Sequence, residues 1–284
     1  MANERSDYEA FYGIDEVMMY YGLHCHDFYE LYIHYHGANY FGVDNAVYSL
    51  EPNQLVILPP FHMHGLLCEE ALKDYERAYL NLSPEIMNDL GCGMLNLAST
   101  IEELTRGNHF LFSIPPDQAR ECGRLIQEIQ RRGPADSGWD RFAAYSCILP
   151  IVRIMLEAAR QPVEKLPTVE MNPMMHQVLV YINDHYTEPL TLKGLSGMFN
   201  ISVSTLSHEF FRYIHHSVYD YILYRRVMLA KQKLVTGTLP LGEVSGQCGF
   251  GDYSNFLRVF HKITGMAPSE YRKQLLKKAT AALN

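Results

Sequence analysis

The 284-residue chain has a single tryptophan, no C-x-x-C pair and no long uncharged apolar run. Each absence excludes something. The six cysteines (25, 68, 92, 122, 147 and 248) stand singly, a spacing that fits neither a zinc ribbon nor the disulfide framework of a small secreted domain. Reduced, mostly buried thiols are expected instead. The most apolar stretch, YSCILPIVRIMLEAA, is interrupted by Pro150 and Arg153, so no membrane span is expected. The opening MANERSDYEA lacks the apolar core of a secretory signal, and a cytoplasmic location is expected.

Positive charge is also scarce. The net charge of −8 argues on its face against a nucleic-acid partner. The deficit is local, however. Residues 1–172 carry 12 Lys+Arg against 25 Asp+Glu, a net −13, whereas residues 173–284 carry 12 against 7, a net +5. Only the C-terminal part is suited to meet a polyanion.

What is present divides in the same place. Residues 8–115 hold short runs rich in Tyr, Val and Ile, such as YELYIHYH, NYFGVD, AVYSLE and QLVILPP, separated by turn residues. They predict a sandwich or barrel of short strands. Two helical patterns follow. In the first, Ala119, Cys122, Leu125, Ile126 and Ile129 share a face. In the second, over about 138–159, Pro150 predicts a kink or break. The proline-rich AARQPVEKLPTVEMNP reads as a linker.

Beyond Pro173 the sequence repeats itself. At an offset of 49, Leu190, Leu192, Leu195 and Ile201 meet Leu239, Leu241, Val244 and Phe250; at 50, Leu206, Phe210 and Tyr221 meet Phe256, Phe260 and Tyr271. Each copy predicts a short helix, a tight turn and a second helix opened by a Ser or Asp cap, which is the outline of a helix-turn-helix, twice. Between the copies a helix of about 20 residues, ~30 Å long, could place the two second helices in successive major grooves, ~34 Å apart. With Leu206, Phe210, Phe256 and Phe260 turned inward, Ser204, Thr205, Ser207, His208 and Arg212 of the first unit face outward, as do Tyr253, Ser254, Asn255 and Arg258 of the second. Arg can pair with guanine and Asn with adenine, while Ser and His reach bases or phosphates. Lys262, Arg272 and Lys273 are better placed for phosphate.

The segment GFGDYSNFLRVFHKITGMAPSEYR (249–272), with Asp252, Phe256, Arg258, Phe260, Gly265, Pro268 and Tyr271-Arg272, resembles the signature of AraC-type transcription regulators. The linking helix with Arg226 and Ala230, and the helix MMHQVLVYINDHY, are similar too. The resemblance covers residues 173–275 closely and the N-terminal half more loosely. It implies a non-enzymatic DNA-binding activator or repressor, usually dimeric, with a ligand-sensing cupin-like barrel in front. The chain departs from the family at Phe211-Arg212, where lysines are common, and at His215, where glycine is common. Glu209 adds an acid beside the expected DNA, which weakens binding.

The stretch HCHDFYELYIHYHG (24–37) and the later EPNQLVILPPFHMHG, with Pro59 and His64, fit two cupin motifs. His24, His26, Glu30 and His64 could converge, on one strand face or around a bend at Asp27-Phe28. Three imidazoles and a carboxylate would suit Fe(II), Mn(II) or Zn(II). The tyrosines of the region, Tyr32 among them, and its asparagines instead suit a hydroxylated organic effector, and this resemblance favours such an effector with no cofactor.

The architecture expected is an N-terminal cupin-like β-barrel with flanking helices and a C-terminal all-α domain with two helix-turn-helix units. Its parts are a sensing domain (1–115), a helical dimerisation region (116–160), a linker (161–172) and a DNA-binding domain (173–284). The expected function is a ligand-responsive regulator of an operator, binding a sugar or similar small polar effector at His24, His26, Glu30, Tyr32 and His64. Its expected partners are double-stranded DNA, a second copy and, for an activator, RNA polymerase, with no membrane. The alternative is a metal-dependent cupin enzyme or metal sensor fused to a DNA-binding domain, with the metal at His24, His26, Glu30 and His64.

Overall fold

A computed structural model of the chain describes residues 7–18, 23–44, 46–67, 71–135, 137–160, 173–214, 216–235 and 239–281. The linker expected at 161–172, together with Cys68 and His215, lies outside the described residues. Two compact units divide the chain: Met1–Tyr21 with Asp27–Val169, and Gly22–His26 with Glu170–Asn284.

The first unit is β-rich. Its strands are β1 (Tyr8–Met18), β2 (Tyr29–His36), β3 (Tyr40–Val43), β4 (Ala46–Ser49), β5 (Gln54–Leu58), β6 (His64–Leu66), β7 (Leu72–Leu82) and β8 (Leu111–Ser113). They form a five-stranded sheet in the order β1-β7-β2-β5-β8 and a three-stranded sheet in the order β4-β3-β6. Side chains alternate between faces along a strand, and β2 shows the result. Tyr29, Leu31 and Ile33 join the core under the helices, while Tyr32 joins a second core with Phe41, Val43, Tyr48, Val56, Leu58, Leu66 and Tyr75, drawn from both sheets. A cupin-like sandwich results. Gly37 closes the turn after β2 with φ +92°, and a Cβ there would lie 2.5 Å from the Tyr75 Cα. No other residue type fits.

The strand-only expectation for 8–115 needs correcting. Two short helices, α1 (Pro84–Gly91) and α2 (Leu97–Leu104), follow β7. Ser83 and Asn96 cap them by accepting from the Ile86 and Ser99 amides, and Pro84 starts α1. At eight residues each, their helical periodicity is too short to stand out in sequence. Helix α3 (Pro116–Arg132) buries the five residues expected of it. Helix α4 (Gly138–Ala159) runs through Pro150, so of the expected kink or break the break does not occur. A mid-helix proline costs about 3 kcal/mol. The neighbouring Ile148, Ile151, Val152, Ile154 and Met155 are all buried, each contributing roughly 1.5–3 kcal/mol, so packing outweighs the lost hydrogen bond. By length and composition α4 could also cross a membrane, but it packs these residues into the core beneath the five-stranded sheet.

The second unit contains helices α5 (Pro173–His185), α6 (Leu192–Met198), α7 (Val203–Ile214), α8 (Val218–Val235), α9 (Leu241–Gln247), α10 (Tyr253–Thr264) and α11 (Pro268–Ala281). The sequence repeat is a packing repeat. Phe210 meets Tyr221 at 5.6 Å between ring centroids, and fifty residues on Phe260 meets Tyr271 at 5.8 Å, both edge-to-face. Arg226 ties α8 to the turn after α5 by donating to the Tyr186 and Glu188 carbonyls at 2.6 and 2.7 Å. The turn of the second copy needs Gly249, at φ +81°, because a Cβ would lie 2.3 Å from the Thr187 carbonyl oxygen.

Candidate DNA interface and sensor interior

Helices α7 and α10 are the second helices of the two repeats, and their starts are capped as their sequences require. Ser202 accepts from the Thr205 amide at 2.9 Å, and Asp252 accepts from the Asn255 amide at 2.7 Å. Capping fixes which residues face outward. On α7, Leu206, Phe210 and Ile214 are buried, leaving Ser204, Thr205, His208 and Arg212 exposed and Ser207 half-buried. On α10, Phe256, Val259 and Phe260 are buried, leaving Tyr253, Ser254, Arg258 and Lys262 exposed and Asn255 half-buried.

The two faces differ in electrostatics. Arg258 donates from Nη2 to Asn255 Oδ1 at 2.8 Å, which aims a guanidinium outward without neutralising it. On α7, Glu209 lies 3.2 Å from His208 Nδ1 and 3.9 Å from Arg212 Nη1, so an acid accompanies both residues. Arg272 is turned to structure: its Nη2 donates to the Leu239 carbonyl at 2.6 Å. Helix α8, with 18 residues, spans ~27 Å.

In the first unit, the β2 residues Glu30, Tyr32 and His34 stand opposite Asn81, Tyr79 and Arg77 of β7. Tyr32 and Tyr75 share a hydroxyl–hydroxyl bond of 2.7 Å. Arg77 pairs with Asp15 and lies 4.7 Å from both the Phe11 and the Tyr75 ring centroids. Burial pushes the Tyr32 and Tyr75 hydroxyls well above the usual range, keeping both protonated. Burial, aided by nearby His36, pushes His34 down to about 4 against an opposing backbone bond to Ala38, so its ring is neutral. His34 Nδ1 and Asn81 Oδ1 are buried with no hydrogen-bond partner. Such atoms are rare in a folded interior, and either a water or a polar group of a ligand would satisfy them.

Glu30 and His64 are both buried, with Oε2 and Nε2 3.1 Å apart, and His64 Nδ1 lies 2.8 Å from the His62 carbonyl. The chain bends at Asp27-Phe28 before β2 begins, so His24 and His26 are not on the same continuous strand as Glu30. Their rings lie 5.9 Å apart.

Two protein-family models match the chain: an AraC-like ligand binding domain over residues 12–102 and a helix-turn-helix domain over residues 195–274. The chain belongs to the AraC-type regulators. It is similar to the HTH-type transcriptional regulator YdiP of Escherichia coli, 29% identical over 53% of this chain and 48% of that one. It is also similar to the HTH-type regulator YfiF of Bacillus subtilis, 23% identical over 88% and 78%, and to the arabinose operon regulatory protein of Escherichia coli, 27% identical over 55% and 53%. The chain thus spans about half the length of YdiP and of the arabinose regulator.

For an AraC-type chain the sequence pointed to the outward faces of α7 and α10, and the structure exposes those residues in whole or part. Arg272 is held by the Leu239 carbonyl. Among the sensor residues, Glu30, Tyr32 and His64 are interior. The polar row on β7 was missed. Its signal was present in LKDYERAYLNL, where Tyr75, Arg77, Tyr79 and Asn81 alternate with Glu76, Ala78, Leu80 and Leu82. That alternation marks a strand with one polar interior face.

Proposed function

We propose that the chain is a ligand-responsive, sequence-specific transcription regulator. Helices α7 and α10 bind double-stranded operator DNA through Ser204, Thr205, Ser207, His208, Arg212, Tyr253, Ser254, Asn255, Arg258 and Lys262. The sandwich interior binds a small polar effector, a carbohydrate being the best fit, and two copies pair through α3 and α4. An activator of this kind also engages RNA polymerase. The observation that carries this reading is the duplicated helix-turn-helix, with two capped second helices exposing hydrogen-bonding faces in the unit of net positive charge. The effector class draws support from the buried, unpartnered His34 Nδ1 and Asn81 Oδ1 beside a row of tyrosines, and from a relative named for an arabinose operon. Ligand can act only by binding one state of the regulator better than another. The test is a thermal-shift screen against monosaccharides and glycosides, followed by operator titration with each hit. A hit that raises the melting temperature and changes operator affinity supports the proposal. No hit across the panel, with DNA binding intact, leaves the regulator without a sugar effector.

A second reading has a specific observation behind it, the buried Glu30–His64 pair with Oε2 and Nε2 3.1 Å apart, to which His24 and His26 would add two imidazoles. The donor set fits a divalent transition metal, and a His64 whose Nδ1–H donates to a backbone carbonyl presents its Nε2 lone pair as a ligand. Such a metal would supply a fixed positive charge to hold an anionic or hydroxylated effector. Elemental analysis of the purified protein decides. Stoichiometric metal that is lost in both His26→Ala and Glu30→Ala supports this reading; its absence after growth and purification in metal-replete medium removes it.

A further inference from the structure

Phe211 is the feature of α7 that the general reading leaves unused. Its neighbour Phe210 is 1% exposed and serves the core, yet Phe211 is 56% exposed. It lies seven residues after Ser204, so Ser204, Ser207, His208 and Phe211 follow the i, i+3, i+4, i+7 spacing of one helix face. These four residues, with Arg212, line a cleft of about 540 Å3. Fifty residues on, α10 carries the exposed His261 at the corresponding place, followed by Lys262. The first unit thus has an aromatic ring where the second has a titratable base, on a face whose His208 and Arg212 are both accompanied by Glu209. Such a face gains little from phosphate attraction and must take its selectivity from contact with bases.

The one apolar group that a base pair presents in the major groove is the thymine C5-methyl, and an aromatic side chain is one of its recognised contacts. We infer that Phe211 reads a thymine methyl in the half-site of the first helix-turn-helix, with Ser204, Ser207 and His208 serving the flanking bases. The inference rests on the proposal that α7 binds operator DNA. It assigns the two units different chemistry: α10 selects by hydrogen bonds from Arg258, α7 by apolar contact.

The experiment uses the full-length protein and the tightest duplex that it selects from a randomised library. Each thymine of that duplex is replaced in turn by deoxyuracil, which removes only the C5-methyl. Wild-type protein is expected to lose about three- to fivefold in affinity at one position, the worth of one buried methyl. Phe211→Ala should lose a similar amount on the thymine duplex and become indifferent to deoxyuracil at that position. Phe211→Leu should keep the sensitivity. The inference is overturned if wild type is indifferent to every deoxyuracil, or if Phe211→Ala binds the thymine duplex as tightly as wild type. It is overturned equally if Phe211→Ala keeps the full deoxyuracil penalty, or if it spares DNA binding and loses only RNA polymerase recruitment, which would make the face a protein contact. A chain that selects no duplex at all instead sinks the DNA-binding proposal, a distinct result.

Discussion

Arg258 and His208 stand at corresponding positions of the two repeats but have opposite neighbours. Arg258 is steadied by the neutral Asn255 at 2.8 Å, whereas His208 has the carboxylate of Glu209 at 3.2 Å. Arg258→Ala should therefore weaken operator binding by about 1–3 kcal/mol and relax selectivity at one base. His208→Ala should cost less, because the neighbouring Glu209 carboxylate competes for the ring and disfavours phosphate beside it. Titration of both variants on one operator checks the ranking, and equal losses would refute it. A second expectation concerns His34. Its pKa falls from the ordinary 6.5 to about 4 on folding, so between those values the unfolded chain binds the extra proton. Stability contributed by the neutral ring is complete above pH 6.5 and is lost as pH falls toward 4, by up to about 3 kcal/mol. The denaturation midpoint of wild type should drop across that window, and His34→Gln should flatten the drop. An unchanged slope in the variant would show that the ring does not titrate this way. Residue identities on the DNA-facing helices were legible because two buried residues one turn apart fix every other direction on a helix. Those of the sensor interior were only half legible, since pairing between β2 and β7 joins residues over forty positions apart.

At the scale of elements, the turns specify the fold as much as the helices do. Gly249 shows this: φ +81° and a carbonyl 2.3 Å from any added Cβ leave no room for alanine. Gly249→Ala should destabilise the C-terminal unit by about 2–3 kcal/mol. Gly251→Ala, whose Cβ would meet nothing within 4 Å, should stay within about 1 kcal/mol. Urea titrations followed by circular dichroism would separate them, and equal midpoints would count against the steric account. The doubled helix-turn-helix was readable because the offset of 49 to 50 repeats both core and turn residues. The unbroken α4 was not, because sequence shows the proline's local cost and hides the packing that offsets it. The short α1 and α2 were masked for a related reason: eight residues carry two turns of periodicity, too little against the strand pattern around them.

For the whole molecule, the question is how one chain reads an operator firmly enough to regulate it. Its C-terminal part carries only a net +5, while the rest carries −13, so general electrostatic attraction is weak and binding must be reinforced by coupling sites. Helix α4 offers the means. Trp139, Phe142 and Leu149 are 82%, 68% and 44% exposed, and with Ser146 and Arg153 they fall at alternating steps of three and four along one face, an apolar patch interrupted by two polar residues. The exposed charge pairs of α3, such as Arg124 with Glu121, are screened by solvent and contribute little to holding two copies together. The proposed occupant is a second copy, because pairing two regulators would make the second half-site contact intramolecular. The combined Trp139→Glu and Phe142→Glu variant should sediment as a monomer with an unchanged circular dichroism spectrum. It should lose on the order of 10²-fold in affinity for a two-site operator, yet bind a single half-site as wild type does. A variant that remains dimeric would place the interface elsewhere. A monomer with undiminished affinity for the two-site operator would show instead that the two helix-turn-helix units within one chain, set apart by the ~27 Å of α8, suffice to hold the DNA.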